Sequence, residues 1–64
     1  MVKINGVGYE ADGKTVAQLV EEGGYTPAKV AVELNLEIVP KSKYSEKLVH
    51  DGDIVEIVSF VGGG

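Results

Sequence analysis

At 64 residues the chain is long enough for one domain and short enough that folding buries only about 60% of the surface its unfolded form exposes. With no cysteine there is no disulfide framework, thiolate metal site or nucleophilic thiol, so packing alone must hold the fold. Six basic residues against ten acidic leave a net charge of -4, which excludes a phosphate-backbone partner built on clustered Lys and Arg and suits a protein partner with a basic face.

The first residues carry one Lys and no apolar run, so no signal peptide is expected. The longest apolar stretch falls far short of the ~20 residues of a membrane span, and the absence of cysteine is compatible with the cytoplasmic location expected. Val2 and Ile4 alternate with Lys3 and Asn5, the period of a half-buried strand. Asn5-Gly6 tolerates the positive φ of a tight hairpin turn, and Val7 to Ala11 is expected to return as the second strand before a turn at Asp12-Gly13. Thr15 and Gln18 have the spacing of a helix N-cap and its reciprocal partner. Val16, Leu19 and Val20 then form one apolar stripe, with Gln18, Glu21 and Glu22 toward water, and Gly23-Gly24 stops the helix.

Thr26-Pro27 marks an irregular crossover into a third strand at Val30 to Leu34. Asn35-Leu36 offers a turn, and Glu37 to Val39 a short fourth strand that Pro40 ends, which fits a sheet edge. Lys41 to His50 has no clean period; a helical turn is expected around Ser45 to Leu48. After the Asp51-Gly52 turn, Ile54 to Val61 is apolar on both faces and therefore reads as a central strand. Val55, Ile57 and Ser59 point one way along it, and Ile54, Glu56, Val58 and Phe60 the other.

The order ββαββ, helical turn, β predicts an α+β fold: a small mixed sheet of four to five strands with its first and last strands parallel at the centre and one helix over one face. That arrangement is the ubiquitin-like β-grasp, here a domain over 1–61 followed by a flexible glycine tail over 62–64. If Val55 and Ile57 face the helix, Val58 and Phe60 are presented on the open face as candidate partner-docking residues.

Catalytic groups do not assemble in the sequence. His50 has no nucleophile or acid at a recognisable spacing and reads as a solvated loop residue. Asp51 and Asp53 around Gly52 lack the further oxygen ligands of a metal loop, so no metal site is expected. Neither the Gly6 to Gly8 stretch nor the terminal glycines precede a helix with Lys-Ser/Thr, so neither is a phosphate loop, and Ser42, Ser45 and Ser59 lack a base. Tyr9, Tyr25 and Tyr44 read as caps on a thin core.

The feature left unexplained by folding is Gly62-Gly63-Gly64, which adds entropy cost and no packing. Extended, three glycines span roughly 10 Å and fit a narrow channel because they lack Cβ. A terminal carboxylate is charged and unreactive at neutral pH, so its use requires an ATP-dependent partner that converts it to an acyl-adenylate, with Mg²⁺ offsetting phosphate charge, before a sulfur nucleophile displaces AMP.

These residues carry a resemblance. Val30-Ala31-Val32, the Glu37-Ile38-Val39-Pro40-Lys41-Ser42 run after Asn35, Asp51-Gly52-Asp53, Val55 to Val58 and Val61-Gly62-Gly63-Gly64 are similar to the C-terminal half of the ThiS family of sulfur carriers in thiamine biosynthesis. Thr15 to Leu19 opens the helix as in that family, and the likeness extends over nearly the whole chain. Leu36 departs from it, standing where a Gly is usual, and Tyr44 stands where a Trp is frequent.

The resemblance implies a non-enzymatic carrier without an intrinsic cofactor, a monomer when free. Its Gly64 carboxylate is adenylated by a ThiF-like enzyme using ATP and Mg, and Gly62 and Gly63 thread that enzyme's active site. A sulfur donor protein then makes the thiocarboxylate, which a ThiG-like thiazole synthase consumes. Two alternatives stay open: a molybdopterin-synthase small-subunit type of carrier, which shares the tail and fold, and a ubiquitin-like interaction or modifier domain that transfers no sulfur.

Overall fold

The computed structural model describes residues 1–60; the glycines of the tail lie outside the described residues, together with Val61. Five strands form a mixed sheet: β1 (Val2–Ile4), β2 (Val7–Tyr9), β3 (Val30–Leu34), β4 (Glu37–Val39) and β5 (Ile54–Ser59), in the spatial order β2-β1-β5-β3-β4. β5 is central, parallel to β1 and antiparallel to β3, as its two apolar faces require. One α-helix among the described residues, α1 (Val16–Glu22), covers one face.

The alternation in β5 resolves as the sequence predicts. Val55 and Ile57 are buried toward α1, where they meet Val30, Val32 and Leu34 from β3 and Val16, Leu19 and Val20 from the helix. The core is thin and dominated by valine: seven valines are the largest side chains with essentially no exposure. Tyr44 closes it beneath the helix at 5% exposure, and Tyr25 packs partly buried against its edge, whereas Tyr9 stays 49% exposed.

Asn5 and Gly6 take φ of 50° and 85°, and the β1–β2 hairpin closes with Ile4 opposite Val7. β2 ends at Tyr9 rather than continuing to Ala11. By Ala11 the chain is turning, its carbonyl accepting from Lys14 N at 3.0 Å, and its methyl enters the core. The Asn5 amide then does what another residue of β1 would do. Its Oδ1 accepts from Ile57 N at 2.8 Å and its Nδ2 donates to Ile57 O at 3.1 Å, extending the parallel pairing past the end of the strand.

The helix start is satisfied from two sources. Thr15 Oγ1 accepts from Gln18 N at 3.1 Å while Gln18 Oε1 accepts from Thr15 N at 2.8 Å, the predicted reciprocal cap. The other free amides of the first turn, Val16 N and Ala17 N, donate to Lys47 O and Tyr44 O, both at 2.8 Å. This second source corrects the expected helical turn at Ser45 to Leu48. The turn lies earlier, as a 3-10 segment over Lys41–Lys43, because carbonyls of the following stretch are committed to the helix N-terminus and Leu48 bridges Thr15. At the other end Gly23 caps in right-handed geometry. Gly24 supplies the left-handed turn at φ 79°, while Gly24 N and Tyr25 N donate to Glu21 O and Val20 O.

The β3–β4 turn stays tight despite Leu36. Asn35 and Leu36 adopt φ of 52° and 70°, and Asn35 is tied to the start of β5: its Oδ1 accepts from Ile54 N at 2.9 Å and its Nδ2 donates to Asp53 Oδ1 at 3.0 Å. Asp53 Oδ2 also accepts from His50 N at 2.9 Å. These bonds, the Asn35 one first, hold the Asp53 carboxyl below its ordinary value of 3.8 against a smaller opposing effect of burial.

Candidate functional site

β5 delivers the chain to its C-terminal residues, so the site is built where that strand ends. Phe60 follows β5 directly, and its N donates to Lys29 O at 2.7 Å, fixing the backbone against the crossover. Its ring is 53% exposed, with Lys41 Nζ above it at 5.7 Å from the centroid. Lys41 is itself held by a 3.2 Å donation to Ala28 O. Phe60 is therefore an apolar projection held by its backbone, with one cation over its ring, two residues before Gly62 in sequence.

Val58 lies on the same outward parity, 55% exposed, and pairs across to Ala31. Both residues singled out in the sequence thus stand on the open face, away from α1. The structure adds Ile38 to them, 73% exposed and in register with Glu33 on β3, and places Glu33 on the face as well. Alternation along β5 is enough to find Ile54 and Glu56. Ile38, Glu33 and Lys41 need the register between strands and the path of the 3-10 turn, which no local pattern in the sequence carries. The assignments to Gly62, Gly63 and Gly64, and the division of the chain after residue 61, fall outside the described residues.

Elsewhere the geometry is structural. His50 Nδ1 is 3.7 Å from Asp12 Oδ1, with both side chains in solvent. Glu22 is engaged by Lys14 at 2.7 Å, and Asp12 Oδ1 accepts from Asp51 N. An open groove of about 410 Å³ runs between β2 and the end of α1, lined by Ile4, Tyr9 and Tyr25, and a second of about 510 Å³ follows β4 beside Pro40 and Lys43. Among the described residues no cluster of three or more His, Cys, Asp or Glu is placed to hold a metal. No helix among them is long and apolar enough to cross a membrane.

What this arrangement offers is an exposed apolar face on the side of the sheet away from α1, carrying Val58 and Ile38, with Phe60 directly after the central strand. The model of the ThiS family matches residues 2–64. The chain is 39% identical over 66 residues to the sulfur carrier protein ThiS of Bacillus subtilis, covering all of both chains. It is also 60% identical over 50 residues to a thiazole synthase of Paramagnetospirillum magneticum, a match that takes in 78% of this chain and only 15% of that protein's length. Among solved structures, the thiamine biosynthesis protein ThiS of Geobacter metallireducens superposes with a TM-score of 0.76 at 33% identity, over 98% of this chain and 97% of the other.

Proposed function

The chain belongs to the ThiS family, and on that premise we propose that it is a sulfur carrier of thiamine biosynthesis, acting as the substrate of partner enzymes rather than as a catalyst. The observation that carries the reading is the full-length match to a sulfur carrier joined to a β-grasp whose central strand runs toward Gly62-Gly63-Gly64.

The chemistry follows from the inertness of a carboxylate. A ThiF-like partner brings the Gly64 carboxylate onto the α-phosphorus of ATP; a new P–O bond forms, pyrophosphate leaves, and Mg²⁺ on the partner offsets the phosphate charge. Hydrosulfide released by a donor protein then attacks the carbonyl carbon of the mixed anhydride. The C–S bond forms, the C–O bond to phosphate breaks, AMP leaves, the S–H proton passes to solvent, and the terminus is left as the thiocarboxylate. The thiocarboxylate is the form a thiazole synthase takes up, and the resemblance to a protein of that name supports this destination. All these reactants are cytoplasmic in this scheme. Gly62 and Gly63 occupy the partner's channel while Val58 and Phe60 dock outside it.

Intact-mass measurement of the protein isolated from its host tests the class directly. The expected product has one oxygen exchanged for sulfur at Gly64. Lysine conjugates without that exchange would instead establish a modifier, and co-purification with a molybdopterin synthase large subunit would redirect the sulfur. Removing Gly64 is expected to abolish thiocarboxylate formation at unchanged Tm; formation of the product by the shortened chain would overturn the assignment.

A further inference from the structure

Folding does not account for the charges on the open face of the sheet. Glu33 and Glu56 stand directly opposite one another on β3 and β5, an arrangement of like charges that destabilises a sheet. Glu33 is half-buried and Glu56 exposed, and neither takes part in an ion pair or side-chain hydrogen bond among the described residues. Three of the six lysines are engaged elsewhere, Lys14 on Glu22, Lys43 on Glu46 and Lys41 on the Ala28 carbonyl, and none forms an ion pair with Glu33 or Glu56 among the described residues. Lys3, which pairs with Ile54 in register, makes no ion pair among the described residues.

The carboxylates are also surrounded by exposed apolar groups. Ile38 is directly across from Glu33, and Ile54 and Val58 lie two residues either side of Glu56. Like charges opposed in the middle of an apolar patch weaken the free protein, and they become favourable only when a cation is brought to them under cover from water.

We propose that this face receives its protein partner through a basic side chain, an arginine by geometry, seated between Glu33 and Glu56 while apolar partner surface covers Ile38, Ile54 and Val58. The guanidinium is planar, more weakly hydrated than an ammonium, and forks to two carboxylates, which fits a pair of acids in apolar surroundings. The inference rests on the docking reading above and supplies its chemistry. Charge complementarity selects this occupant. A second copy docked face to face would bring four carboxylates together, and an anionic lipid or a nucleic acid would be repelled. Lys41 over Phe60 gives the face a basic end, so the alternation of sign also orients a partner along β5.

The test is calorimetric titration of purified ThiF-like adenylating enzyme, and separately of ThiG-like thiazole synthase, with the full chain and three variants at low and high salt. The double variant Glu33→Gln/Glu56→Gln is expected to keep or raise Tm and to bind at least one of the two enzymes roughly tenfold more weakly at low salt, with a flatter salt dependence. Glu33→Lys is expected to raise Tm, since it converts the opposed acids into an ion pair, and to bind more weakly still. If both variants fold stably and bind both enzymes as tightly as the unmodified chain, the basic anchor is overturned. Phe60→Ala separates the two levels. Weaker binding by Phe60→Ala beside undiminished binding by the glutamate variants removes only the anchor, whereas undiminished binding by all three removes the docking reading itself.

Discussion

Leu36 holds a conformation that its side chain disfavours, at φ 70° with the side chain 84% exposed, so neither burial nor local preference places it there. The constraint comes from its neighbours. Asn35 is fastened by its amide to Asp53 and Ile54, and Glu37 must begin β4 opposite Leu34, leaving two residues to reverse the chain. A left-handed turn is the solution that matches strand twist, and it costs a non-glycine residue about 1–2 kcal/mol. Leu36→Gly removes that strain and gives back part of it through the greater freedom of an unfolded glycine, so a net gain of about 0.5–1 kcal/mol is expected in urea unfolding. A loss of stability would show that Leu36 makes a favourable contribution beyond its conformation.

At the scale of elements, α1 is only seven residues long, too short to stand on propensity, and its N-terminus is where the rest of the chain supports it. The Thr15–Gln18 reciprocal cap is expected to contribute about 1 kcal/mol, so Thr15→Ala should lower the urea midpoint by that equivalent with an unchanged slope. An unaltered midpoint would mean that the Lys47 and Tyr44 carbonyls hold the first turn unaided. The two supports also separate what the sequence makes legible from what it hides. The cap, both hairpin turns, the helix stripe and the parity of β5 are local patterns of fewer than ten residues, and Val58 and Phe60 come from that parity alone. The position of the 3-10 turn is fixed by bonds from Val16 and Ala17 to a segment some thirty residues away, and no period within Lys41 to His50 records them. Lys41 above Phe60 and Ile38 beside Glu33 are hidden for the same reason, because each depends on how separate strands and turns align.

For the whole molecule, a thin valine core leaves its closure to polar bonds around the Asp53 turn, which join β5, the β3–β4 hairpin and the His50 loop. The Asn35 side chain, the His50 amide and, more weakly, the charges of His50 and Lys47 lower the Asp53 pKa, so the folded chain favours its ionised form more than the unfolded chain does. The resulting stabilisation is fully present above the ordinary value of 3.8 and is lost as pH falls through the folded value, because the unfolded chain binds the proton first. Tyr44 has the opposite sign. Burial raises its phenol above 10.0, outweighing a backbone bond at Val32, so its contribution is present below 10.0 and lost as pH rises through the folded value. A plateau of Tm bounded on both sides is therefore expected, and Asp53→Asn isolates the acid limb. The variant should unfold at lower temperature near neutral pH, by the equivalent of about 1–2 kcal/mol for weakened charge-assisted bonds, and should lose less of its remaining Tm than the parent on going from neutral pH to below 3.8. Parallel acid limbs for the two proteins would assign the acid sensitivity to other carboxylates and leave Asp53 with a geometric role alone.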